Sequence, residues 1–258
     1  MPARDLALLT DAAREAGRIA MRHWRRDVKH WDKGGEHGPV SEADLAVNEM
    51  LKARLLAARP DYGWLSEETP DDSARLSRDT VFIIDPIDGT RAFIAGEESF
   101  SHSLAVAHQG RVTAGVVFLP AMDRIYVASE SSPALRDGQP ISVSRSDRLE
   151  GSDVLTTKAN LLPEKWPGGV PDLKRHFRAS LAWRLCLAAE GRFDGMLTLR
   201  DAWEWDIAAG SLIAAKAGAV VSDRKGEALH FNTPGAMAEG VLALPPAAHA
   251  EAVRRLLG

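Results

Sequence analysis

The chain has 258 residues, 45% of them hydrophobic and 26% charged, and a formal net charge of −4. That length is enough to bury a sizeable core, as one large domain or as two halves sharing an interface. Lys and Arg are spread along the sequence, which excludes the basic footprint of a nucleic-acid or anionic-membrane binder.

Cys186 is the only cysteine and sits in an apolar run, so an intrachain disulfide and a thiolate zinc site are excluded and a buried inert thiol is expected. The first residues include Arg4 and Asp5 and lack the apolar stretch of a secretory signal. No segment approaches the roughly 18 unbroken apolar residues that a membrane helix needs. A cytoplasmic location is the expectation.

Leu6, Leu9, Ala13, Ala16 and Ala20 recur at helical spacing, which predicts a helix over residues 4 to 25. Residues 26–40 are polar and Gly-rich and read as a loop. Ser41-Glu42-Ala43-Asp44 has the form of a capping box opening a second helix through Val47, Met50, Leu51 and Leu55. Trp64-Leu65 predicts a short strand before Ser66-Glu67-Glu68, residues 69–79 a loop, and Val81 to Ile84 a buried strand. Strands near 103–107, 112–119 and 124–128 read as a consecutive antiparallel set, with turns at Gln109-Gly110 and Asp137-Gly138.

After a weak break near 140–152 the pattern alternates: a strand near 153–157, a helix near 180–190, a strand at 196–199, a helix from 205 to 217 and a strand at 219–221. Such alternation predicts α/β layering. The expected organisation is an α+β half at residues 1–143 and a smaller α/β half at 144–258.

The densest chemical signal is Asp85-Pro86-Ile87-Asp88-Gly89-Thr90, directly after the buried strand. Two carboxylates three residues apart converge if the chain bends between them, and Pro86 and Gly89 favour a bend. Oxygen ligands of this kind suit Mg²⁺, and the amides of Gly89 and Thr90 suit a phosphate if a helix starts there. The competing reading is an Asp-rich turn that merely ends a strand. Glu67-Glu68 has a surface-charge reading, and Asp206 and Asp44 each have a helix-capping one.

Taken together, Pro39 to Asp44, Leu65 to Glu68, Asp85 to Thr90 and Trp205-Asp206-Ile207-Ala208-Ala209-Gly210 resemble, in order and spacing, the four motifs of the inositol monophosphatase superfamily. The resemblance runs from the first helix to the last strand. It implies a layered αβαβα sandwich and a phosphate monoester hydrolase using two or three Mg²⁺ ions, with inhibition by Li⁺. It places metal ligands on Glu67, Asp85, the carbonyl of Ile87, Asp88 and Asp206. It places the catalytic roles on Asp44, Glu67 and Thr90, with the Thr90–Asp44 pair orienting the attacking water. Substrate contacts fall on Asp88, Gly89, Thr90 and Asp206. Lys33 is similar to a lysine that often precedes the Pro-Val-Ser motif. Several carboxylates at one point repel each other unless cations neutralise them. An Asp88→Asn change is therefore expected to remove repulsion and leave the fold intact.

Gly115 to Tyr126 and the Glu-Trp-Asp motif look closest to the bacterial 3′(2′),5′-bisphosphate nucleotidase branch. The acidic residue that inositol monophosphatases place seven positions before the motif aspartate falls here on Leu199, with Asp201 and Glu204 near enough to substitute. Removal of the 3′-phosphate of adenosine 3′,5′-bisphosphate is the leading substrate reading; inositol, sugar or histidinol phosphates are the alternatives. Arg91 and Arg184 are candidate contacts for a second phosphate. The partner is thus a small phosphorylated metabolite. A homodimer using Trp166, Trp183 and Trp203 is a further expectation, against a simpler reading that puts those rings in the core or the cleft.

Rival chemistries fit less well. Asp88-Gly89-Thr90 resembles the DxDGT motif of haloacid-dehalogenase phosphatases, but Pro86 stands where their nucleophilic Asp would be. The eight His residues show no HExxH, and no G-x-S-x-G elbow is present. A non-catalytic regulatory or RNA-associated protein on the same fold is the reading from another class.

Overall fold

The computed structural model describes residues 2–34 and 38–258. The chain opens with helix α1 (Pro2–His23), then a two-stranded ribbon of β1 (His30–Asp32) and β2 (Pro39–Ser41), and helix α2 (Glu42–Ala58). Strands β3 (Gly63–Ser66) and β4 (Thr80–Asp88) precede a one-turn helix α3 (Thr90–Ile94). A meander follows: β5 (Ser101–His108), β6 (Arg111–Leu119), β7 (Arg124–Ser129), β8 (Ser132–Arg136) and β9 (Gln139–Pro140). Next come β10 (Asp153–Leu155), β11 (Lys174–His176), α4 (Leu181–Ala189), β12 (Gly195–Thr198), β13 (Ala202–Trp203) and α5 (Glu204–Lys216). The chain ends with β14 (Val220–Ser222), β15 (Met237–Ala238), β16 (Val241–Leu244) and α6 (Pro246–Leu257).

Strands β3 to β9 form a seven-stranded sheet in sequence order, antiparallel except for the β3–β4 pair. A five-stranded sheet has the order β11-β10-β12-β16-β14, with β16 antiparallel to its neighbours. Helices α1 and α2 cover one face of the large sheet, α4 and α5 lie between the sheets, and α6 covers the far face of the small one. This is a five-layer αβαβα sandwich.

Strand alternation makes the layers. Val81 and Ile83 on β4 join the central core with α4 and α5, whereas Phe82 and Ile84 face α1 and α2. On β12, Met196 joins the central core and Leu197 packs with Trp166 in the outer one. Helix α4 is buried at every position, as its unbroken Leu-Ala-Trp-Arg-Leu-Cys-Leu-Ala-Ala composition requires. Cys186 lies there, fully buried.

The structure departs from the sequence reading in several places. Residues 26–40 contain both strands of the ribbon, whose Val40 is buried; residues 35–37 of that stretch lie outside the described residues. The 69–79 loop contains a 3-10 turn at Ser73–Ser77. Helix α6 and strands β8, β9, β11, β13, β15 and β16 went unpredicted; the strands are only two to five residues long, too short to show a clear alternation. Trp166 and Trp183 are buried, in agreement with the simpler reading of those rings. No helix among the described residues is long and apolar enough to cross a membrane.

Candidate active site

Strand β4 does not end before the Asp85–Asp88 motif but carries it, with a register shift against β5 between the two aspartates. The irregularity re-aims both carboxylates to one side, as bulges do. The buried His102 ring on β5 holds it from behind, its Nδ1–H donating to the Pro86 carbonyl. Burial pushes this imidazole down to about 4, so it is neutral. Gly89 then turns the chain at φ 99°, and a Cβ there would stand 3.0 Å from the Ser99 carbonyl oxygen. Only glycine fits that turn into α3.

Asp206 arrives from the opposite side of the central core, in the first turn of α5. The small residues after it set its position. A Cβ on Gly115 of β6 would come within 3.0 Å of the Ala209 backbone, and one on Gly210 within 2.7 Å of Leu185. Ala209 and Gly210 thus let α5 lie close on both the sheet and α4. The Ser103 hydroxyl donates to the Trp205 carbonyl across 2.8 Å and fixes the start of α5 against β5.

Carboxylate oxygens of Asp85, Asp88 and Asp206 all lie within 4.8 Å of one another. Burial, then repulsion from Glu67, Asp88 and Asp206, raises the Asp85 carboxyl well above the carboxylate range. Asp206 is raised in the same way, by burial first and then by Asp88 and Glu67. Asp85 is 1% exposed and its Oδ1 is buried without a hydrogen-bond partner. An orphaned carboxylate oxygen among hard oxygen donors fits a divalent cation.

Glu67 stands beside this trio at the end of β3. Lys33 Nζ donates to Glu67 Oε1 and to Glu68 Oε1, each at 2.8 Å. The pair is therefore largely buried and ion-paired, against the surface reading of Glu67-Glu68. Burial, only partly offset by Lys33, still lifts Glu67 to about 7. This places Lys33 at the site, which its sequence position left open.

Asp44 takes part in two arrangements at once. Its Oδ2 accepts from the Ser41 amide and hydroxyl at 2.9 and 2.5 Å, the predicted capping box. Its Oδ1 accepts from the Thr90 hydroxyl at 3.1 Å, an oxygen equally close to the Ile87 carbonyl. Burial raises Asp44 to about 6.

Asp88 corrects an expectation. Its carboxylate accepts from the Ser180 hydroxyl at 2.6 Å and from the Leu181 and Ala182 amides at 3.2 and 2.7 Å. It sits on the N-terminus of α4, where a helix favours an anion, so it is a packing partner and not merely a source of repulsion. The sequence reading predicted the helix near 180–190 but not its contact with Asp88, because nothing local to Ala179-Ser180-Leu181 marks a carboxylate partner 92 residues upstream.

Glu67, Asp85, Ile87, Asp88, Gly89, Thr90 and Asp206 line one cavity of about 430 Å³. Arg91, Glu97, Phe177, Arg200, Trp203 and Trp205 are among its other wall residues. Arg184 is not among them: it is buried, and its guanidinium donates to the Arg178 and Ala179 carbonyls. Leu199 is 6% exposed and packs into the outer core with Trp166 and Leu242. Asp201 pairs with Arg224 at 2.6 Å, and the buried Glu204 accepts from Asn232 and Thr233, so neither takes the place of the acidic residue at Leu199. Trp203 takes the cleft position that the simpler reading of the tryptophans allowed; Arg200 went unread in the sequence, where Leu-Arg-Asp looks like an ordinary strand end.

The sequence profile of the inositol monophosphatase family matches residues 2–257. The chain belongs to that family. It is 32% identical over 243 residues to the inositol-1-monophosphatase of Mesorhizobium japonicum, covering 86% of each chain. It is 31% identical over 229 residues to the histidinol-phosphatase of Chlorobaculum parvum, again over 86% of each. The solved IMPase of Thermotoga maritima superposes with a TM-score of 0.82 at 28% identity, over 100% of this chain and 97% of that one. As a member of this phosphatase family, the protein is a metal-dependent phosphomonoester hydrolase.

Proposed function

We propose that the protein is a Mg²⁺-dependent phosphatase that removes the 3′-phosphate of adenosine 3′,5′-bisphosphate, releasing AMP and phosphate. The observation that carries this reading is the lining of the acidic cavity: Arg200 and an aromatic wall face the same space as Asp85, Asp88 and Asp206. The Trp203 and Trp205 rings stack 4.7 Å apart at an angle of 8°. A flat π surface of that kind suits a purine. The guanidinium groups of Arg200 and Arg91 suit a second phosphate. Where an inositol-binding site needs a carboxylate for hydroxyl groups, this chain turns Leu199 into the core and presents a cation from the next residue. A cation in that place favours an anionic substrate over a neutral polyol.

Glu67, Asp85, Asp88, Asp206 and the Ile87 carbonyl are the groups that would hold Mg²⁺, which when bound activates water and neutralises charge on the phosphate. The remaining steps belong to side chains. Asp44 accepts the Thr90 hydroxyl hydrogen, which leaves the Thr90 oxygen lone pairs free to accept from an attacking water. The amides of Gly89 and Thr90, at the turn into α3, receive phosphate oxygens. Asp88 keeps its orientation through Ser180 and Ala182 while its charge faces the cavity.

A second reading, hydrolysis of inositol 1-phosphate or histidinol phosphate, is favoured by the activities named for the Mesorhizobium and Chlorobaculum relatives. Phosphate release from adenosine 3′,5′-bisphosphate, inositol 1-phosphate, fructose 1,6-bisphosphate and histidinol phosphate, with Mg²⁺, with EDTA and with added Li⁺, separates the readings. A tenfold preference for inositol 1-phosphate in kcat/KM, about 1.4 kcal/mol of transition-state discrimination, overturns the nucleotidase reading and leaves the phosphatase standing.

A further inference from the structure

A second cavity, of about 410 Å³, opens at the far end of α4 and shares no lining residue with the first. Its walls carry four guanidinium groups, from Arg124, Arg136, Arg178 and Arg192, against the single carboxylate of Glu190. That carboxylate is already engaged: Arg136 donates to Glu190 Oε2 at 2.7 Å and the Tyr126 hydroxyl to the same oxygen at 3.1 Å. Arg178 is held over the rings of Trp183 and Phe193, 5.9 and 5.6 Å from their centroids, and donates to the Phe177 carbonyl at 2.6 Å. Arg124 and Arg192 make no side-chain hydrogen bond or ion pair among the described residues.

Like charges gathered around a concave space repel one another unless a counter-ion occupies it. This is the inverse of the acidic trio in the first cavity. Guanidinium groups bind phosphate through paired N–H donors, and two of these four are fixed before any ligand arrives, which lowers the ordering cost of binding. The buried Trp183 and Phe193 supply an apolar floor beneath the charged rim.

We propose that this arginine-lined cavity is a second anion site, separate from the catalytic one, that binds a phosphate group. Its ligand is either free phosphate or an organic phosphate ester whose apolar part rests on the Trp183–Phe193 floor. The site also touches the catalytic cavity through the chain: Arg178 stands between Phe177 and Ala179, which both line the first cavity.

The test uses the full chain with Mg²⁺ and the indole N–H resonances of its seven tryptophans. The Trp183 signal is assigned by its loss in Trp183→Phe. Titrants are inorganic phosphate, the non-hydrolysable ester mimic phenylphosphonate, and sodium chloride at matched ionic strength. The expected result is a saturable shift of the Trp183 signal with phosphate or phenylphosphonate and none with chloride. In the Arg124→Ser/Arg192→Ser double variant the Kd read from Trp183 should weaken at least tenfold, with the Trp203 and Trp205 responses unchanged. Both residues lie outside the catalytic cavity, so turnover in the double variant reports that it has folded. Tighter binding of phenylphosphonate identifies an organic ester as the ligand class; equal or weaker binding identifies the free anion. A stationary Trp183 signal while Trp203 and Trp205 move, or a Trp183 response identical in the double variant or reproduced by chloride, overturns the proposal.

Discussion

Asp88 and Ser180 lie 92 residues apart in the chain, yet the Ser180 hydroxyl donates to the Asp88 carboxylate across 2.6 Å. The same Ser180 oxygen caps α4 by accepting from the Trp183 amide at 2.9 Å. One serine therefore joins the acidic site on the large sheet to the first turn of a helix in the central layer. Ser180→Ala should lower stability by about 1–2 kcal/mol through the lost cap. It should also weaken apparent Mg²⁺ affinity, because Asp88 loses one of the groups that orient it. Urea unfolding and Mg²⁺ activation curves measure the two effects; an unchanged activation constant would separate α4 from the metal site.

The pH dependence of the metal-free protein follows from the raised carboxyls. Asp44 is lifted to about 6 and Glu67 to about 7, each chiefly by burial. Folding thus favours their neutral forms, and that contribution to stability is fully present below about pH 4, the ordinary carboxylate range. It is lost as pH rises through about 6 and then about 7. The neutral His102, held at about 4, works in the opposite sense between its ordinary value of about 6.5 and 4, but it is one group against several. In EDTA the Tm should therefore fall between pH 5 and pH 8, and Mg²⁺ should restore more stability at pH 8 than at pH 5. Calorimetry at pH 7 in buffers of different ionisation enthalpy should detect proton release on Mg²⁺ binding. A Tm in EDTA that climbs from pH 5 to pH 8 would contradict the assignment.

Arg200 is the residue on which substrate choice should turn. Arg200→Ala should raise KM for adenosine 3′,5′-bisphosphate about tenfold or more, the scale of one lost charge-assisted contact, with a smaller effect on kcat. Arg200→Lys should recover part of the loss. A monophosphate substrate should be nearly indifferent to both changes, and equal damage to both substrates would assign Arg200 a structural role instead.

Lys33 shields two carboxylates, Glu67 and Glu68, from each other and from the trio. Lys33→Ala should make the metal-free protein less stable at pH 8, because the buried Glu67 carboxyl loses the cation that favours its charged form. The same change should tighten apparent Mg²⁺ binding several-fold, since the ion no longer competes with an ammonium group for Glu67. Weaker Mg²⁺ binding in this variant would instead show Lys33 to be a supporting member of the metal site.

The sequence by itself determined the elements that carry local signals and the identity of the acidic residues. A capping box at Ser41–Asp44, β-branched runs such as Val81 to Ile84, and an apolar α4 are each written within a few consecutive residues, because capping and side-chain periodicity act over one or two turns. The four motifs likewise named Glu67, Asp85, Asp88 and Asp206, three of which the fold brings within 4.8 Å. What tertiary structure decided was which side chains share a space. Leu199 and Arg200 are neighbours in the chain, yet one enters the outer core and the other lines the cavity. Arg184 looked like a phosphate contact but is buried on backbone carbonyls. Asp88 meets the start of α4, and four arginines from β7, β8 and both flanks of α4 surround one hollow. These relations depend on how two sheets and the helices between them are stacked, and long-range packing leaves no mark on the spacing of the residues that it joins.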